Sequence, residues 1–144
     1  MYKRCTSKEC DYRSHNFGET RCPQCDHDLA IRLERGDRLG SYVIRESLRS
    51  GEGGMGMVYR ARHSVHHGNV AIKVAHGRRF QFDALYRETD CLAQLDHPGI
   101  VKIIPLDDSE AKQHPYVHKL YLMGEPIDYI VLKYIKGHTF KDLL

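Results

Sequence analysis

The chain has 144 residues, 41% of them apolar and 28% charged, and a formal net charge of +3. This balance suits a soluble globular protein rather than a disordered one, and it gives no support to a nucleic-acid partner, which usually shows a clear basic patch. No stretch approaches the ~20 consecutive apolar residues of a membrane span and no apolar run backs the first residues as in a secretory signal, so the chain reads as cytoplasmic, with no membrane partner.

Three zones follow one another: residues 1–30, rich in cysteine; residues 31–39, which read as a charged linker separating two units; and residues 40–144, where strands alternate with turn residues. Four of the five cysteines lie in the first 25 residues, as Cys5-x4-Cys10 and Cys22-x2-Cys25. Without a signal peptide, such clustering points to metal more than to disulfides. Each short pair can present two sulfurs to one ion, and two pairs complete a tetrahedron. A segment below ~40 residues rarely folds alone, and a structural zinc supplies about 10–16 kcal/mol of apparent binding energy. The expectation is therefore one structural zinc on Cys5, Cys10, Cys22 and Cys25, with free or oxidised thiols as the alternative. Four thiolates and one ion would bring the net charge from +3 to +1. His15 and His27 lie close enough in sequence to replace a cysteine. Cys22-Pro-Gln-Cys25 resembles the second knuckle of zinc ribbons and rubredoxin-like modules, whereas the x4 spacing of the first pair departs from it. Cys91 stands apart and reads as a packed core thiol.

From residue 40 the pattern predicts strands at Ser41–Leu48, Met57–Ala61 and Val70–Val74, with a glycine-rich turn at Gly51–Gly56 and a hairpin connection from His63 to Asn69. His63, His66 and His67 in that connection have no supporting carboxylates and read as a solvated turn rather than a metal cluster. Phe82, Leu85, Tyr86, Thr89, Leu92 and Ala93 fall on one face of a helix over 80–95, ended by His97-Pro98. Ile100–Ile104 and Tyr129–Ile135 are apolar runs suited to buried strands. The polar stretch from Leu106 to Asp128 is long for a connection and predicts a mobile excursion or an extra hairpin. Thr139 caps a further helical turn, within which the sequence stops at Leu144.

Gly51-Glu-Gly53-Gly54-Met-Gly56 fits G-x-G-x-x-G, a weak signal alone. The two strands predicted after it exclude a dinucleotide-binding unit, which needs a helix there, and no G-x-x-x-x-G-K-[ST] is present. A glycine loop between antiparallel strands can lie over a triphosphate, its amides unshielded by any Cβ. Ala71 and Lys73 face the same way along their strand, a small residue for an adenine beside an ammonium for phosphates.

Gly51-x-Gly53-x-x-Gly56-x-Val58, Val70-Ala-Ile-Lys73, Glu88 nine residues before His97, and His97-Pro-Gly-Ile-Val101 together resemble the N-lobe of a protein kinase, over roughly residues 41–144. Gly-Gly-Met-Gly followed by Val-Tyr-Arg-Ala is especially similar to bacterial serine/threonine kinases. The resemblance implies an α+β fold: a small zinc ribbon, then an N-lobe with a five-stranded antiparallel sheet and one main helix, the C-lobe absent. It implies that Lys73 holds the α- and β-phosphates and that Glu88 pairs with Lys73. Gly51, Gly53, Gly54 and Gly56 would cover the phosphates, and Val58, Ala71 and Leu132 would enclose the adenine. The Lys133 carbonyl and Ile135 amide would meet the adenine edge. Lys133 stands where kinases usually have glutamate, Ser50 stands where an apolar residue is common, and the first strand is a residue or two long.

No His-Arg-Asp-x-x-x-x-Asn and no Asp-Phe-Gly occur, so the magnesium ligands and the catalytic aspartate are missing. The expected function is the ATP-binding portion of a serine/threonine protein kinase, inactive by itself. ATP with magnesium and a protein substrate would be partners of the complete kinase. The surface that a C-lobe would cover should favour self-association. The alternative is a non-catalytic, zinc-anchored adaptor of pseudokinase type.

Overall fold

A computed structural model of the chain describes residues 1–49, 57–66, 68–76, 87, 103–104 and 116–133. The first 32 residues form a three-stranded antiparallel sheet. Its strands are β1 (Tyr2–Cys5), β2 (Arg13–Ser14) and β3 (Leu29–Arg32), in the order β2-β1-β3. β1 alternates half-buried Tyr2 and Arg4 with buried Lys3 and Cys5. Opposite Lys3 and Cys5 stand Ile31 and Leu29 of β3. Paired residues share a face of a sheet, so one side of this small sheet carries Cys5 and Leu29 at one end and Lys3 and Ile31 at the other.

The second sheet comprises β4 (Arg38–Leu39), β5 (Tyr42–Arg49), β6 (Met57–His63), β7 (Asn69–His76), β8 (Ile103–Ile104), β9 (His118–Leu122) and β10 (Glu125–Lys133). Its order is β4-β5-β6-β7-β10-β8, and β9 also pairs with β10, all antiparallel. Valine, isoleucine and tyrosine dominate β6, β7 and β10, residue types that fill a pleated surface well. The register gives two sets of rows. Met57↔Val74↔Tyr129 and Tyr59↔Ile72↔Val131 lie on one face; Val58↔Lys73↔Ile130 and Arg60↔Ala71↔Leu132 lie on the other.

The first face is the main core. Met57, Tyr59, Ala61, Val70, Ile72, Val74, Ile127, Tyr129 and Val131 are buried there together with Leu39 and Ile44. Ile31 and Leu33 belong to the same cluster, with Met1 and Phe17 packed against it. The small sheet is thus laid on the outer face of the large one. Of residues 31–39, read as a linker, Ile31 and Arg32 close β3 and Arg38–Leu39 form β4. Ile31, Leu33 and Leu39 are buried, so this stretch joins the two sheets instead of separating them.

Other expectations meet the structure in different ways. Among the described residues the sheet has seven strands rather than the five expected, and the regular structure there is almost all strand. In the segment 80–95 only Arg87 is described, in helical conformation; the rest of that segment, like 97–101 and 134–144, lies outside the described residues. The strand noted as a residue or two long is β5, and its pairing with β6 shifts between Ile44 and Glu46 and again between Ser47 and Arg49. Such bulges take up extra residues on one strand. The 106–128 stretch ends in the extra hairpin that was one of its two expected forms. β9 and β10 form a hairpin there, so β10 starts at Glu125 and not at Tyr129.

The hairpin turns at Met123 and Gly124, with φ of 49° and 82°. Two positive φ values match the twist of a two-residue hairpin, a site that favours asparagine and glycine. Met123 is exposed and gains no packing for its strained backbone. At Gly40 the demand is stricter, because φ is +56° and a Cβ would lie 2.9 Å from the Tyr129 hydroxyl. Met123→Asn should therefore raise stability by roughly 0.5–1 kcal/mol, and Gly40→Ala should lower it by roughly 1–3 kcal/mol. Urea unfolding followed by circular dichroism checks both signs.

Candidate functional site

Two opposed loops bring the cysteines together. The first, from Cys5 to Tyr12, is closed by the Cys5 N–H donating to the Tyr12 carbonyl at 3.0 Å. Its two extra residues are taken up in a turn in which the Cys10 N–H reaches the Ser7 carbonyl at 3.3 Å. The second loop is closed by the Arg21↔Asp28 bridge and by the Cys22 N–H donating to the His27 carbonyl at 2.8 Å. Asp26 takes a left-handed φ of 61° there, and Arg21 pairs with both Asp26 and Asp28. The Thr6 N–H donates to the Asp28 carbonyl at 3.0 Å and ties one loop to the other.

The sulfurs of Cys5, Cys10, Cys22 and Cys25 all lie within 4.8 Å of one another. Cys5 and Cys25 are 3.3 Å apart, and Cys10 and Cys22 are 3.7 Å apart. A disulfide would need about 2.05 Å, whereas sulfurs around one tetrahedral zinc stand about 3.8 Å apart for bonds of about 2.3 Å. The Ser7 N–H donates to the Cys5 sulfur at 3.4 Å. His27 Nδ1 lies 3.2 Å from Cys25. Burial pushes the Cys5 thiol up to about 12. Burial acts the same way on Cys22, but its backbone donors outweigh it and bring this thiol down to about 7. Both histidines weighed as replacements are superfluous to a four-sulfur set, and His27 touches a sulfur rather than displacing one.

The second constellation lies on the inner face of the large sheet. Val58, Ala71, Lys73 and Leu132 are all at most 4% exposed. They come from three adjacent strands, with Val58 opposite Lys73 and Ala71 opposite Leu132. Lys133, one residue beyond Leu132, is exposed and lies on the outer-face row with Val70. Gly51, Gly53, Gly54, Gly56, Glu88 and Ile135 lie outside the described residues. The histidine turn behaves as an ordinary turn where it is described. His63 Nδ1 accepts the Val65 and His66 N–H groups at 3.1 and 3.2 Å, and its ring packs edge-on to Tyr42. Among the described residues only the four cysteines form a cluster suited to a metal, and no helix is long and apolar enough to cross a membrane.

Comparison with known proteins agrees with the sheet. No family profile matches the chain. The serine/threonine-protein kinase PksC of Streptomyces coelicolor is 37% identical over 94 residues, 61% of this chain and 16% of that protein. The DNA damage-responsive serine/threonine-protein kinase RqkA of Deinococcus radiodurans is 37% identical over 79 residues, 54% of this chain and 12% of that protein. The serine/threonine-protein kinase PknB of Mycobacterium leprae is 30% identical over 120 residues, 81% of this chain and 16% of that protein. The chain is a relative of bacterial serine/threonine protein kinases. It spans 12–16% of the length of these three relatives, so the kinase-like part corresponds to a small portion of each.

What the kinase resemblance left out is the connection between the two constellations. Lys3 is fully buried, and its ammonium donates to the Glu19 carbonyl at 2.8 Å and pairs with the Glu125 carboxylate of β10. Glu19 in turn accepts the hydroxyls of Tyr12 and Ser14 at 2.9 and 2.8 Å. The Leu33 N–H donates to the Tyr59 hydroxyl at 3.1 Å inside the core. The alternation in Tyr2-Lys3-Arg4-Cys5 could have placed Lys3 on the same side as Cys5, but nothing local names Glu125 as its partner. A buried lysine removed from its acceptors leaves them unpaired. Lys3→Met should lower stability by roughly 1–3 kcal/mol, more than Glu125→Gln, which keeps an acceptor facing the ammonium. The midpoints of the two urea transitions test that order.

Proposed function

We propose that this chain is the ATP-binding front of a serine/threonine protein kinase, carrying one structural zinc on Cys5, Cys10, Cys22 and Cys25. The observation that supports the nucleotide reading most is the in-register set Val58, Ala71, Lys73 and Leu132 on one buried face. An adenine needs small and apolar walls, supplied by Ala71, Val58 and Leu132. A triphosphate needs a cation beside them, supplied by Lys73 two residues along the same strand face from Ala71.

In this reading Gly51, Gly53, Gly54 and Gly56 lie over the phosphates and Glu88 holds Lys73 in place. The main chain of Lys133 and Ile135 meets the adenine edge, where side-chain identity matters little, so the lysine in place of the usual glutamate is tolerated. Lys73 orients the α- and β-phosphates, and magnesium, when bound with the nucleotide, neutralises charge that develops on transfer. The acceptor is a serine or threonine of a protein substrate. Phosphate transfer is proposed for the whole kinase to which such a front belongs. The zinc has a closed four-sulfur shell and no open position, so its part is structural.

The 144-residue chain should bind ATP weakly and transfer no phosphate. Joined to a C-lobe with the His-Arg-Asp and Asp-Phe-Gly motifs, it should phosphorylate protein, and Lys73→Met should lower kcat on the order of 10²–10³-fold with little change in unfolding midpoint. Transfer by the isolated chain that Lys73→Met abolishes would place the chemistry elsewhere than proposed.

A further inference from the structure

We propose that metal binding at the four cysteines controls the order of the nucleotide-facing sheet, because the module that the metal organises is built into the sheet's outer core. The inference rests on the zinc reading above and adds a regulatory consequence to it.

The metal site and the docking surface share one face of the small sheet. On β1, Cys5 and Lys3 are two residues apart and both buried; on β3, Leu29 and Ile31 stand opposite them. Cys5 and Leu29 pack with Cys22 around the sulfurs. Ile31, next along the same face, belongs to the core cluster that also holds Tyr59, Ile72 and Val131 of the large sheet. No spacer lies between the two ends. β1 and β3 are paired over only four residues each, and two-residue β2 covers the other edge. Strands this short, in a module this small, cannot hold themselves together without a further constraint. The metal, fixing Cys5 and Cys10 against Cys22 and Cys25, is that constraint.

A second line of contacts runs through polar groups. The Cys5 N–H donates to the Tyr12 carbonyl at 3.0 Å, and the Tyr12 hydroxyl donates to Glu19. The Glu19 carbonyl accepts Lys3, and Lys3 pairs with Glu125 at the start of β10. β6 and β10 receive these contacts on their outer rows and present Val58, Ile130 and Leu132 on their inner rows. Each strand has one backbone for both rows. Loss of the metal would release β1 and β3, withdraw Ile31, Leu33 and Lys3, and expose Tyr59, Ile72 and Val131. The strands that carry Lys73 and its neighbours would then open more often, with no contact at the nucleotide face itself having changed.

Hydrogen exchange of the full chain, with zinc bound and after chelation, tests this. Metal analysis comes first, and the expected content is one zinc per chain. Chelation should raise amide exchange in β6, β7 and β10 by at least about tenfold, equivalent to about 1.4 kcal/mol of opening free energy. Acceleration confined to residues 1–32 would overturn the inference while leaving the zinc reading intact. A chain that neither holds nor takes up zinc would overturn the zinc reading, and the inference with it. If the chelated chain precipitates, zinc-loaded Leu33→Glu decides instead. It should keep its zinc yet show the same acceleration in β6 and β10, and unchanged exchange there would count against the coupling.

Discussion

Lys3 sits at the point on which the architecture turns. Its ammonium is completely buried, a costly place for a charge unless partners surround it. The Glu19 carbonyl, from the loop between β2 and β3, and the Glu125 carboxylate, from β10, are those partners. Beside it, Ile31 and Leu33 enter the apolar core of the large sheet, and Tyr59 supplies the hydroxyl that the Leu33 N–H requires. The apolar contacts drive the association, since burial of such side chains is the main favourable term. The two polar contacts fix its register, because a slip of either sheet would leave a buried donor without an acceptor.

This seam explains why the outer face of the sheet is buried at β6, β7 and β10. A sheet of this size with one face in water would show alternation of polar and apolar residues. Met57-Val-Tyr59 and Val70-Ala-Ile-Lys-Val74 show no such alternation, and every one of these residues is buried. The outer rows are covered by the cysteine module. The inner rows hold Lys73 between Val58 and Ile130, the side on which nucleotide binding is proposed. The module that carries the cysteines thus covers one face of these strands, and the nucleotide site is proposed on the other.

Much of the lobe was legible because its signals are local. Val70-Ala-Ile-Lys-Val74 and Tyr129-Ile-Val-Leu132 are short apolar runs between turn residues, and both are strand in the structure. The pairing of Cys5 with Cys10 and of Cys22 with Cys25 placed the sulfurs in one cluster, where the structure puts them. The β9–β10 hairpin is the extra hairpin that the length of the 106–128 stretch allowed, although it turns on Met123-Gly124 rather than on the asparagine-glycine that usually marks such a site. Two features escaped. The stretch from Ile31 to Leu39 alternates charge with aliphatic side chains, and its charges read as a linker. Only the partner face, brought from residues 59, 72 and 131, shows that Ile31, Leu33 and Leu39 point into a core. The Lys3–Glu125 pair spans 122 positions, beyond the reach of any local pattern.

The central claim is that the cysteine module and the kinase-like sheet fold as one unit. Equilibrium urea unfolding of the zinc-loaded chain, followed residue by residue by NMR, measures it directly. Amide signals of Cys5, Ala30 and Ile31 report the small sheet, and those of Tyr59, Ile72 and Val131 report the large one. The account predicts coincident transitions with one midpoint and one slope, as a single cooperative unit requires. Two separated transitions, with either sheet melting while the other keeps its native signals, would contradict it.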